Sequence, residues 1–104
     1  MKRVAFKMKL KPGCKAEYIQ RHNNVWPEIV ELIKKSGISD YSIFLDEETN
    51  LLFAVQKVSG DVSSQGLGSE AIQQKWWDSM SDIMEVNADN SPVSIPLEEV
   101  FHLG

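Results

Sequence analysis

The most constraining feature of this sequence is the order in which strand-like and helix-like patterns follow one another. Strand-like patterns, with two-residue alternation or short apolar runs, cover residues 3–11, 40–45, 51–55 and 98–103. Apolar residues at helical spacing cover residues 14–35, with one interruption, and residues 70–84. The order β-α-β-β-α-β predicts an α+β, ferredoxin-like fold, in which two helices cover one face of an antiparallel sheet.

Turn-forming residues separate these segments. Pro12–Gly13 end the first strand and Ser36–Gly37 end the first helical region. Inside that region, Pro27 predicts a break, because proline cannot continue the hydrogen bonding of a helix. The polar residues 46–50 predict a hairpin between the second and third strands, and the serine- and glycine-rich residues 59–69 predict a connecting loop.

The sheet has more apolar surface than two helices can cover. Residues 51–55 are apolar at every position, and residues 41–45 are largely so. A free sheet face of this composition would be a large apolar patch, which soluble monomers rarely expose. We therefore expect a second copy of the sheet to cover it in a two-fold homodimer, with incomplete cover beside the lysines of the first strand.

Length and charge exclude several classes of protein. A chain of 104 residues, 42% hydrophobic and 25% charged, predicts one globular domain over residues 1–104. The net charge of −4 and the lack of a basic cluster argue against binding to nucleic acid or to an anionic membrane surface.

Compartment is indicated by hydropathy and by cysteine content. No apolar run approaches the ~20 residues of a membrane helix, and lysines interrupt the N-terminal segment where a signal peptide would need an apolar stretch. Cys14 is the single cysteine, so neither an internal disulfide nor a cysteine-based zinc site is expected. These features predict a cytoplasmic protein.

Tyr18 and His22 are the first candidates for chemistry. They are four residues apart in a predicted helix and therefore share one of its faces. Histidine can both give and accept a proton near neutral pH, and a tyrosine one turn away could orient it or bind a ligand. The alternative is a structural histidine. A metal site is not expected, because His22 and His102, the two histidines, belong to no cluster of ligands.

Two adjacent tryptophans are the second feature that could belong to a functional site. Trp76 fits the apolar stripe of its predicted helix, whereas Trp77 points about 100° away and needs a separate explanation. It could pack in the core or at a dimer interface, or it could form an apolar platform for a flat ligand such as a sugar ring. Tyr41, at the start of a strand, could place its hydroxyl at the rim of the same site.

Strings that contain these residues resemble the L-rhamnose mutarotase family. They are Tyr18–Asn23, Trp26–Glu28, Tyr41–Asp46, Asn50–Ala54, Trp76–Trp77, Asn87–Pro92 and Glu99–Phe101. The resemblance runs nearly end to end and is weakest over residues 59–69. It implies a homodimer with a dimeric α+β-barrel fold, and an isomerase of carbohydrate metabolism that interconverts the α and β anomers of L-rhamnose without a cofactor.

The resemblance also assigns roles to residues. By matching positions, His22 takes the role of proton donor, and Tyr18, Tyr41, Trp76 and Trp77 take the sugar-binding roles. Opening a sugar ring requires a proton at the ring oxygen and loss of one from the anomeric hydroxyl, which suits acid–base catalysis. The alternatives are a mutarotase for another 6-deoxy sugar, a non-catalytic ligand-binding protein of the same fold, and a haem-using or cofactor-free oxygenase.

Overall fold

The order of strands and helices in the computed structural model, which describes residues 2–60 and 62–104, agrees with the sequence prediction. The elements are β1 (Lys2–Lys9), α1 (Lys15–Asn23), α2 (Pro27–Lys35), β2 (Ile38–Asp46), β3 (Leu51–Val58), α3 (Ala71–Met80) and β4 (Ile95–Leu97). A short 3₁₀ turn, Ser64–Gly66, lies in the loop between β3 and α3. No helix in this part of the chain has the length and apolar character that crossing a membrane requires.

The strands form one antiparallel sheet in the order β2-β3-β1-β4. β1 lies between β3 and β4, with Phe6 opposite both Ala54 and Pro96. The hairpin predicted from residues 46–50 joins β2 to β3, and Leu45 lies opposite Leu52. The α+β, ferredoxin-like prediction is confirmed.

The predicted break in the first helical region separates two helices. Pro27 is the first residue of α2, where its missing N–H costs nothing and its fixed φ suits a helix. Trp26 is extended, with φ −61° and ψ 134°, as expected for a residue before proline. The other predicted helix, 70–84, is shorter than expected: α3 ends at Met80, and Met84 pairs with Leu10 in an isolated bridge.

The predicted last strand, residues 98–103, is wrong. β4 is Ile95–Leu97, and the residues after it have no regular structure. The register that places Leu97 opposite Ala5 would place Val100 opposite Lys2, which is the first residue of β1. Residues 101–103 of a strand over 98–103 would therefore have no partner in β1. The apolar residues that suggested a strand are instead exposed, with Phe101 at 78%.

The two faces of the sheet differ in cover. Phe6, Met8, Leu52 and Ala54 on the inner face are buried against the helices and form the core with them. The outer face carries a row of opposed residues, Phe44, Phe53, Lys7 and Ile95. Phe44 is 63% exposed and Ile95 is 51% exposed, so large apolar side chains of this face are open in the single chain.

Candidate active site

A cavity of about 850 Å³ lies between the helices and the inner face of the sheet. We call the side formed by α1, α2 and α3 the helix wall, and the side formed by β1, β2, β3 and residues 62–69 the sheet wall. The residues predicted from sequence all line this cavity: Tyr18, His22, Tyr41, Trp76 and Trp77. A mostly apolar cavity with a few polar groups is the usual form of a small-molecule site.

His22 is held by the residue one helical turn before it. Its ring stacks on that of Tyr18, with centroids 4.2 Å apart and planes inclined by 24°. His22 Nδ1 lies 3.1 Å from the backbone oxygen of Tyr18. Because a carbonyl oxygen only accepts hydrogen bonds, Nδ1 carries the proton, and Nε2 is the ring nitrogen with a free lone pair.

The charge state of His22 follows from its surroundings. Burial lowers its pKa below the ordinary 6.5, and the hydrogen bond to the Tyr18 carbonyl opposes this shift. The ring is therefore neutral at pH 7. A neutral imidazole with Nδ1 protonated can accept a proton at Nε2 and afterwards return it.

Both tryptophans are buried and line the cavity, and both also pack in the hydrophobic core, so core packing and contact with a ligand are both compatible with the position of Trp77. Trp76 makes edge contacts with the rings of His22, at 5.6 Å between centroids, and Trp26, at 5.2 Å. Trp77 is covered by the loop before α3: a Cβ at Gly68 would lie 2.9 Å from its Cζ3 atom. Gly68 therefore permits the loop to pack directly on the indole.

A bulge in β2 directs Tyr41 into the cavity. Ile38 faces inward opposite Val58, and regular alternation from there would turn Tyr41 to the outer face. The register shifts between Ser39 and Ser42, and Asp40 has a φ of +48°, which aspartate tolerates better than most residues. The shift resets the alternation, so the phenol faces the helices.

The two phenols remain protonated at neutral pH. Burial raises the pKa of Tyr41, partly offset by a hydrogen bond with Ser64. Burial also raises the pKa of Tyr18, and the nearby Tyr41 raises it further. Ser64 Oγ donates to the Tyr41 oxygen at 3.4 Å, which leaves the phenolic hydrogen of Tyr41 free to be donated to a ligand.

The sequence analysis missed Ser64, which lines the cavity, and Gln56, which holds Ser64 in place. Gln56 is fully buried on β3; its Nε2 donates to Ser64 Oγ at 3.0 Å, and its Oε1 accepts from the Ser64 backbone N–H at 2.9 Å. This pair fastens the loop to the sheet and positions the hydroxyl that meets Tyr41. The available signal was one polar residue in the inward-facing series of β3, which otherwise contains Leu52, Ala54 and Val58.

Gln73 on α3 is a second missed residue. It is 4% exposed and lines the cavity on the same helix as both tryptophans. Its Oε1 is buried and accepts no hydrogen bond from residues 2–60 or 62–104. Gln73 could not be distinguished from its neighbour Gln74 by sequence, because both are glutamines in an amphipathic helix.

An ion-pair group joins the helix that carries His22 to the end of α3. The Arg21 guanidinium donates to both carboxylate oxygens of Asp82, at 2.7 and 3.1 Å, and to the backbone oxygen of Ser79 at 2.8 Å. It also pairs with Glu17 at 2.9 Å. The Arg21 guanidinium lowers the pKa of Asp82 below its usual range. These contacts fix α1 against α3 beside the cavity.

Comparison with known proteins identifies the family. The family model for L-rhamnose mutarotase matches residues 3–103. The chain belongs to the L-rhamnose mutarotase family. The L-rhamnose mutarotases of Bacteroides thetaiotaomicron and Phocaeicola vulgatus are 65% and 59% identical to it over 103 residues, which is 99% of each chain. A crystal structure of L-rhamnose mutarotase from Formosa agariphila is 60% identical and matches all of both chains with a TM-score of 0.93.

L-rhamnose mutarotases are isomerases that interconvert the anomers of a sugar, and the cavity has groups suited to that chemistry. Ring opening needs a group that takes a proton from one oxygen and gives it to another, which a neutral imidazole can do. It also needs donors for sugar hydroxyls and apolar surface for the C–H face of the ring, which two protonated phenols and two indoles can supply. Within residues 2–60 and 62–104, no group of three histidine, cysteine or acidic side chains is placed to hold a metal ion.

Proposed function

We propose that this chain interconverts the α and β anomers of L-rhamnopyranose by opening and closing the sugar ring, with His22 as the residue that moves the proton. The observation that carries the proposal is the geometry of His22 within the cavity. Its Nδ1 lies 3.1 Å from the Tyr18 carbonyl oxygen, which leaves Nε2 for a ligand, and burial lowers the pKa of the ring. Family membership supports the choice of reaction and of sugar.

The proton balance requires only one residue. His22 Nε2 takes the proton of the anomeric hydroxyl while the bond between the anomeric carbon and the ring oxygen breaks and a carbonyl forms. The imidazolium then gives the same proton to the former ring oxygen, which becomes a hydroxyl. In the closed ring both oxygens are bonded to the anomeric carbon and are therefore close together. A small movement of the sugar then allows His22 Nε2 to take the proton from one oxygen and give it to the other. Rotation of the aldehyde and the reverse steps yield the other anomer.

The other cavity residues bind the sugar in this proposal. Tyr18 and Tyr41 donate hydrogen bonds to sugar oxygens, because both phenols stay protonated at neutral pH. Trp76 and Trp77 pack against the methyl group and the C–H face of the ring. The reaction is an isomerisation without change of oxidation state, so it requires no cofactor as oxidant or reductant.

We also propose that the working unit is a homodimer formed through the outer face of the sheet. Phe44 and Ile95 in the row of outer-face residues are open in the single chain, and a second copy of the same surface would bury them. Sedimentation at micromolar concentration should give a dimer, and Phe44→Lys should give a monomer. A wild-type monomer would contradict the proposal.

We propose a cytoplasmic location for this enzyme. Cys14 alone cannot form an internal disulfide, which suits a reducing compartment. Recovery of the protein in the cytoplasmic fraction of the cells that produce it is expected, and recovery outside it would contradict this location.

NMR saturation transfer between the two anomeric protons tests the reaction. Catalytic amounts of protein should speed exchange in L-rhamnose above the buffer rate, with a smaller effect on sugars that lack the 6-methyl group. Faster exchange in another 6-deoxy sugar than in L-rhamnose would change the assigned substrate. Binding of L-rhamnose without any acceleration would indicate a ligand-binding protein and overturn the proposed reaction.

A further inference from the structure

Gln73 is a buried polar side chain whose hydrogen bonding is incomplete within the part of the chain that the structure describes. Its Oε1 accepts no hydrogen bond within the described residues, although the residue is 4% exposed. Buried side-chain amides in folded proteins nearly always have partners, because burying an unpaired polar group is unfavourable. An amide in this state on the wall of a cavity therefore needs an explanation beyond the stability of the fold.

The position of Gln73 on α3 suggests what its partner is. Gln73 precedes Trp76 by three residues and Trp77 by four, so all three share one helical face, and all three line the cavity. A ring that lies against the indoles has its substituents beside this amide. The terminal torsion of glutamine has a broad energy minimum, so a small rotation brings the amide oxygen or nitrogen to the cavity surface.

We propose that the Gln73 carboxamide binds a hydroxyl group of the sugar and helps the site to distinguish sugars by their hydroxyl pattern. This inference rests on the proposed function. The amide accepts through its oxygen and donates through its nitrogen, so it can pair with a hydroxyl in either sense. A site with such a group discriminates against a sugar that lacks the hydroxyl, because the amide then stays unpaired.

Replacing Gln73 with an apolar side chain of similar size separates a sugar contact from a structural role. The two explanations predict different changes in KM and in melting temperature. In Gln73→Leu, loss of a sugar contact should raise KM for L-rhamnose by about five- to tenfold and leave kcat within about twofold. The melting temperature of the free protein should stay equal or rise, because a buried unpaired amide is removed. Loss of a structural role would instead lower the melting temperature and leave KM unchanged.

Gln74→Leu is the matched control. Gln74 is the next residue on the same helix, and its amide bonds to Asp78 Oδ1 at 3.0 Å and to the backbone oxygen of Asp89 at 2.6 Å, away from the cavity. The control should leave KM unchanged and should not raise the melting temperature. The same outcome for Gln73→Leu would overturn the inference.

Deoxy sugars sharpen the test. The suitable derivatives of L-rhamnose lack the hydroxyl at C2, C3 or C4, because these still open and close the pyranose ring. For one of the three, the additional effect of Gln73→Leu on KM should disappear. If Gln73→Leu adds the same increase to every derivative, its amide binds no hydroxyl and the inference fails. A wild-type protein that does not accelerate exchange would overturn the proposed function, whereas wild-type catalysis with an unchanged KM in Gln73→Leu would overturn only this inference.

Discussion

The sheet wall and the helix wall of the cavity each contain a buried glutamine, and the two differ in hydrogen bonding. On the sheet wall, both ends of the Gln56 amide are bonded to Ser64. On the helix wall, Gln73 Oε1 is buried and accepts no hydrogen bond from residues 2–60 or 62–104. The polar atoms of Gln56 are therefore used by the fold, whereas we propose that the Gln73 amide is used by the sugar.

The two walls also position their aromatic residues differently. On the helix wall, His22 is held by ring contacts with Tyr18 and Trp76 and by one backbone hydrogen bond. On the sheet wall, Tyr41 is positioned by a bulge and by a serine that is itself hydrogen-bonded. We infer that the helix wall performs the proton transfer and holds most of the sugar, and that the sheet wall adds the hydrogen bond of Tyr41. The predictions below test this division.

The largest effect is expected from His22→Gln, which removes the proton-transferring group of the helix wall. We expect kcat to fall by about 10²–10⁴-fold, the usual contribution of general acid–base catalysis. His102→Gln is the matched control, because His102 lies in the exposed C-terminal segment beside Arg3. Catalysis that survives His22→Gln would assign the proton transfer to another residue, such as a phenol of the sheet wall.

The next largest effect is expected from acidification. His22 acts in its neutral form, and burial lowers its pKa below 6.5. After subtraction of the buffer rate, kcat/KM should be constant around pH 7 and should fall by up to tenfold for each pH unit below that pKa. The folded protein should lose stability over the same range, from about pH 6.5 downward, because the unfolded chain binds this proton more readily. A rate that rises on acidification would show that His22 acts from its protonated form.

An intermediate effect is expected from Gln56→Leu, which removes both hydrogen bonds between the Gln56 side chain and Ser64. The buried N–H of Ser64 is left without its acceptor, so the free energy of unfolding should fall by about 1–3 kcal/mol in urea titrations. KM should rise several-fold because Tyr41 loses its oriented neighbour, while kcat changes little. Gln20→Leu, at an exposed position of α1, is the control. A large fall in kcat with unchanged KM would contradict the division between the walls.

The smallest effect is expected from Arg21→Gln. The arginine joins α1 to the end of α3, but its partners Glu17 and Asp82 are largely exposed, and such pairs contribute little to stability. We expect a decrease of less than about twofold in kcat/KM and a small decrease in melting temperature. High salt should weaken the pair in the wild-type protein and so reduce the difference between the two. A large loss of kcat would mean that this ion-pair group sets the position of His22.

The sequence predicted the elements that depend on local pattern. The alternation of β1 and the break at Pro27 are properties of neighbouring residues, so both agree with the structure. The last strand depends instead on which residues reach the edge of β1, and its prediction over 98–103 failed because pairing begins at Ile95.

The site was predicted unevenly for the same reason. Tyr18 and His22 share a helical face that the spacing already shows. Ser64 becomes part of the sheet wall through a tertiary bond to Gln56, and the local sequence of the loop does not reveal it. Gln73 differs from Gln74 only in the direction its side chain takes from α3, which depends on the final packing of that helix.

The state of His22 in the resting protein is the central claim, and nitrogen NMR of protein with ¹⁵N-labelled histidine measures it directly. The chain has two histidines, so the spectrum of His22→Gln assigns the signals. We expect His22 at pH 7 to show a protonated Nδ1 and an unprotonated Nε2, with a titration midpoint below 6.5, and addition of L-rhamnose should shift the Nε2 signal. A protonated ring at pH 7, or a proton on Nε2 instead of Nδ1, would contradict the account.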